Sequence, residues 1–63
     1  MWKVIYMTDT RTDAESIEKV LSNNNFLVKI RAINKKNAQG LCEILVPQTE
    51  AEDAYMILVQ HNL

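Results

Sequence analysis

The chain reads as an α+β domain of order βαββα. Three observations predict it: an opening run of β-branched and aromatic residues, two further apolar-rich segments joined by a polar loop, and two helical patterns that each begin at a capping sequence. Trp2 to Met7 is short and rich in strand formers, and alternation would put Trp2, Val4 and Tyr6 on one face and Lys3, Ile5 and Met7 on the other. Thr12-Asp13-Ala14-Glu15 matches a capping box, behind which Ala14, Ile17, Val20 and Leu21 recur at helical spacing. The run Asn23-Asn24-Asn25 stops that helix, because Asn tolerates the left-handed conformation found at helix C-termini.

Phe26 to Ile33 alternates an apolar set (Phe26, Val28, Ile30, Ala32) with a mixed one (Leu27, Lys29, Arg31, Ile33) and is predicted as the second strand. Residues 34–40 are polar and end in Gly40, which suits a hairpin loop. Leu41 to Val46 follows as the third strand, closed by Pro47. Thr49-Glu50-Ala51-Glu52 is a second capping box, opening a helix whose inner stripe would hold Ala51, Ala54, Tyr55, Leu58 and Asn62, widened by Ile57.

A right-handed crossover from the first strand to the second, followed by a hairpin, gives a three-stranded antiparallel or mixed sheet of order 1-3-2 with both helices on one face. That is a truncated ferredoxin-like unit without its last strand. Residues 1–63 form one domain, since 63 residues are too few for two. Folding at this size buries only about 60% of the unfolded surface, so stability is marginal and association with a partner is a common remedy.

Composition excludes several chemistries. One Gly leaves no room for a glycine-rich phosphate loop, and one Cys excludes an internal disulfide or a multi-cysteine zinc site. The net charge of −1 gives no general attraction to nucleic acid or membrane, although residues 1–36 hold all seven Lys and Arg and only four of the eight acidic side chains. No apolar run approaches the ~20 residues of a membrane span, nothing near Met1 reads as a signal peptide, and the free Cys42 suits a reducing interior, so a cytoplasmic location is expected. Cys42 reads as a packed core thiol and His61 as a helix-end residue, so no nucleophile, base and orienting group converge and no enzyme, metal or cofactor is expected.

The sheet face left without helices would carry several apolar side chains, and contiguous exposed apolar surface marks interaction sites. The first strand would also be a free edge with only Lys3 to blunt pairing. The expected function is therefore a non-enzymatic regulatory or adaptor module that binds a protein partner, or a second copy as a homodimer, through Ile5, Leu27, Lys29, Arg31, Leu41 and Leu45. Leu45→Glu should then leave the fold intact and abolish association. The alternative is a small anion or nucleotide sensor using Thr8, Thr10, Arg11 and Thr12 ahead of the first helix, or the basic set Lys29, Arg31, Lys35 and Lys36. No aromatic is expected among those basic side chains, which disfavours nucleic acid as a partner.

The segments Met1–Tyr6, Phe26–Arg31 and Glu43–Pro47 followed by Glu50–Ala54 resemble a small prokaryotic family of signal-transducing proteins whose function is not known. The resemblance covers nearly the whole chain. It implies a bacterial origin, a fold like that of the ferredoxin-like nitrogen regulators and a regulatory role, and it assigns no catalytic or ligand-binding residues.

Overall fold

The computed structural model describes residues 1–63 and has the expected order: β1 (Trp2–Thr8), α1 (Arg11–Asn23), β2 (Lys29–Ala32), β3 (Cys42–Pro47) and α2 (Ala51–Gln60), the last preceded by a single 3-10 turn, Gln48–Glu50. The three strands form one sheet of order β1-β3-β2, and both pairings are antiparallel. Cys42, Ile44 and Val46 of β3 join Ala14, Ile17 and Leu21 of α1 and Ala51, Ala54 and Leu58 of α2 in one buried cluster. Both helices therefore cover the same face. The Cα trace is 15 Å deep along its shortest axis, the depth of one helix layer on one sheet.

The starts of the helices differ from expectation. α1 begins at Arg11, and its cap is Thr10, whose Oγ1 accepts from the Asp13 amide at 3.1 Å; Thr12 already lies inside the helix. Thr10-Arg11-Thr12-Asp13 offers the same spacing two residues earlier, with Asp13 as the carboxylate of the first turn. At α2, Gln48–Glu50 is wound into the 3-10 turn and the Ala51 amide donates to the Gln48 carbonyl, so Thr49 caps nothing. The inner stripe of α2 is Ala51, Ala54 and Leu58 with Ile57 half-buried; Tyr55 and Asn62 are exposed.

Both helices end in the same way. Asn25 has φ 69°, its amide donates to Ser22 O, and the Phe26 amide donates to Leu21 O at 3.1 Å. At α2, Asn62 has φ 60°, with Asn62 N donating to Val59 O and Leu63 N to Leu58 O. Each is a left-handed stop closed by paired backbone bonds, with an apolar residue, Phe26 or Leu63, directly after the Asn. β2 is shorter than expected: the Phe26 amide still donates to Leu21 O of α1, and ladder pairing begins at Lys29 rather than at Phe26.

The register of β1 carries the largest correction. Trp2, Lys3 and Val4 pair with Pro47, Val46 and Leu45, but Tyr6 pairs with Ile44, so a bulge admits Ile5 as an extra residue. Lys3 thus lies on the helix-covered side beside Val46, whereas Trp2 and Val4 lie on the open side. Ile5 and Tyr6 both pack against the core. Beyond the bulge the alternation resumes in the opposite phase, with Met7 open and the buried Thr8 beside Cys42.

Candidate functional site

The two ladders align the open face into rows across the sheet. Val4, Leu45 and Lys29 form one, and Met7, Glu43 and Arg31 form the next. Strand alternation sets Trp2 and Pro47 before them, and Leu41 with Ile33 beyond them, where the Ile33 amide donates to Leu41 O at 3.0 Å.

This face is partly covered by its own side chains. Lys29 Nζ lies 4.6 Å from the centroid of the Trp2 ring, although the two residues sit on opposite outer strands. Their contact bridges the middle strand, and Leu45 beneath is only 4% exposed. One row further on, Arg31 clamps Glu43, with Nε and Nη2 each 2.7 Å from Oε1. Of the six residues expected to form a docking face, Leu27 (66% exposed) and Leu41 (47%) do stand in solvent. Lys29 and Arg31 are exposed but engaged, Leu45 is buried, and Ile5 belongs to the core side. Leu45→Glu would therefore bury a charge and cost the fold, contrary to expectation. Contrary to expectation an aromatic does stand among the basic side chains: Trp2, carried to their face by the bulge.

The loop after β1 is closed on itself. Thr8 Oγ1 donates to Thr10 O at 2.8 Å, the Arg11 amide donates to Gln39 O at 2.9 Å, and the Ala14 amide donates to Thr10 O. The Arg11 guanidinium lies 3.6 Å from Glu15, and Thr12 O accepts from Ser16 Oγ. Of the donors that would greet an anion here, the Thr8 hydroxyl, the Arg11 amide and the Arg11 guanidinium are thus already engaged within the chain. Lys35 and Lys36 are exposed in the hairpin loop, where Asn34 Oδ1 accepts from the Lys36 amide. Cys42 is fully buried, its Sγ donating to Gly40 O at 3.4 Å. No three His, Cys, Asp or Glu side chains are grouped to hold a metal ion, and no helix is long and apolar enough to cross a membrane.

The feature the sequence did not disclose is the surroundings of the β1 edge. Two concavities lie along this strand. One, of about 500 Å3, is framed by Tyr6, Asp9, Asp13 and Ser16 together with His61 and Leu63 from the end of α2. The other, of about 380 Å3, is framed by Lys3, Val4 and Ile5 with Ala51, Glu52 and Tyr55. The outer side of β1 meets no strand. Gln48 N donates to Met1 O at 2.7 Å, so antiparallel alternation turns the backbone of Met1 and Lys3 toward β3 and that of Trp2 and Val4 outward. Comparison with protein-family models, curated proteins and solved structures gives no match.

Proposed function

We propose that this protein is a non-enzymatic regulatory or adaptor module that docks a partner polypeptide along the free edge of β1. One observation carries the reading: a seven-residue edge strand, with outward backbone groups at Trp2 and Val4, is flanked along its length by two concavities. An added strand would take its main-chain bonds from that edge and set alternate side chains into the flanking hollows. The edge, rather than the open face, is the better surface, because Leu45 is already covered and Lys29, Arg31 and Glu43 are already paired. The sole Cys is buried and committed to Gly40 O, which supports binding over catalysis. The resemblance to a small signal-transducing family points the same way, and a cytoplasmic setting suits the reduced thiol.

Photo-cross-linking in the native host tests this. A photoreactive residue replacing Met7, beside the edge, is expected to trap a discrete polypeptide, whereas the same residue replacing Gln60 traps none. Val4→Pro removes an outward amide that the sheet does not use and is expected to abolish the adduct while the circular dichroism of the fold persists. Adducts indifferent to Val4→Pro, or equally strong from Gln60, would defeat the edge reading.

A further inference from the structure

The charges along β1 indicate what the edge accepts. Lys3 stands near the start of the strand, and Asp9 and Asp13 stand together just past its end; all three are exposed. None of them makes an ion pair within the chain: the only two ion pairs are Arg11–Glu15 and Arg31–Glu43, so even the nearest cation, Arg11, is engaged elsewhere. Lys3 and Asp9 are six residues apart, roughly 20 Å along an extended strand. A strand that is basic at one end and acidic at the other is complementary to itself when reversed.

Resting on the edge-docking reading, we infer that the occupant is a second copy of this chain, its β1 running antiparallel to β1 about a two-fold axis near Tyr6. That axis is the symmetry of an isologous dimer, in which each contact occurs twice. It brings Lys3 of each copy to Asp9 and Asp13 of the other, and it sets the hollow beside Tyr55 of one copy against the hollow beside His61 of its mate. The three-stranded sheets then join into one of six strands. The incoming β1 fills the place that a fourth antiparallel strand takes in a complete ferredoxin-like unit. The bulge at Ile5 kinks the edge, leaving Trp2–Val4 of one copy to meet residues beyond the bulge in the other.

Charge reversal tests the pairing. Wild-type protein in sedimentation equilibrium is expected to be a dimer. Lys3→Asp alone and Asp9→Lys alone each replace attraction by repulsion at both ends of the interface, and each is expected to raise the dimer dissociation constant by about ten-fold or more. An equimolar mixture of the two variants restores opposite charges at both ends and is expected to form a heterodimer at the wild-type concentration. Circular dichroism of each variant confirms that it is folded. A wild type that stays monomeric at about 1 mM overturns the self-pairing, as does a dimer that neither reversal weakens or mixing fails to restore. An edge-specific cross-link from the Met7 position to a different polypeptide would also overturn self-pairing, yet it would leave edge docking standing. Loss of the Met7 adduct altogether removes both.

Discussion

The two faces of the sheet solve the burial problem by different means. On one face, Cys42, Ile44 and Val46 of β3 are each wholly buried under two helices, in contact with the apolar stripes of α1 and α2. On the other there is no second layer, yet Leu45 of the same strand is only 4% exposed. There long side chains from the outer strands lie over the middle one: the Trp2 ring and the Lys29 ammonium meet across the strand, and Arg31 closes on Glu43 of β3 in the next row. A charged residue can cover apolar surface with its methylenes while its head stays wet. A small sheet can thus bury the centre of an unlayered face without becoming a sticky slab, and its unsatisfied surface is displaced to the strand edge.

If this contrast is right, the helix-covered face should be the costlier to damage. Ile44→Ala empties a fully buried site between sheet and helices, and a loss of about 3–4 kcal/mol is expected for such a truncation. A domain of this size holds only about 3–5 kcal/mol in all, so thermal melts followed by circular dichroism should show the variant largely unfolded near room temperature. A cooperative melt close to that of the wild type would mean that the helices pack far more loosely than their burial implies.

Leu45 and Leu41 provide the next test, because they share the open face and differ in cover. Leu45→Ala is expected to cost about 2–3 kcal/mol, as for a core leucine, and Leu41→Ala about 0.5 kcal/mol or less, as for a surface one. Denaturant titrations of both variants measure the gap. Equal, small losses would show that the side-chain cover over Leu45 provides no burial in solution.

The same contrast explains what could be read without coordinates. The element order, the helix-facing set Cys42, Ile44 and Val46, and the Asn25 stop follow from local pattern, since alternation and left-handed tolerance are properties of a few adjacent residues. The strand order followed as well, because a right-handed crossover and a hairpin leave few alternatives. The faces of β1 could not be read. A single extra residue at Ile5 reverses the phase of everything before it, and no glycine or proline marks the spot. Strict alternation misplaces the docking surface for the same reason: it sets Ile5 on the open face, keeps Trp2 away from Lys29 and leaves Leu45 bare. Thr12 and Thr49 both sit in good capping spacing, yet the backbone chose Thr10 for one helix and a 3-10 turn for the other. The two hollows beside β1 join residues from both ends of the chain, such as Tyr6 with His61, and no local pattern encodes that meeting.

Removing the cover itself should have a smaller effect than removing what it shelters. Trp2→Ala deletes the ring from over the middle strand and leaves the Lys29 ammonium without its aromatic partner; about 1 kcal/mol is expected, of which the cation–ring attraction supplies about half. Lys29→Met separates the two contributions, since it keeps an apolar stem and loses only the charge. Trp2 is the only tryptophan, so its fluorescence reports on the contact directly. Lys29→Met should shift the Trp2 emission with a stability loss of about 0.5 kcal/mol. Emission unchanged by Lys29→Met would place the ammonium away from the ring.

The smallest expected effect belongs to Arg31 and Glu43. Their contact is short, at 2.7 Å, but Arg31 is 59% exposed and Glu43 18%, so solvent and salt screen most of the attraction. A double-mutant cycle with Arg31→Met and Glu43→Gln is expected to give a coupling of about 0.5 kcal/mol that fades as salt rises toward 1 M. What the pair contributes is mainly position: it holds two charged side chains flat across the row beyond Leu45 and keeps that part of the face polar. If the coupling instead exceeded about 2 kcal/mol and ignored salt, the pair would behave as a buried one. Some further layer would then have to lie over the open face in solution, and the free surface of the molecule would be the β1 edge alone.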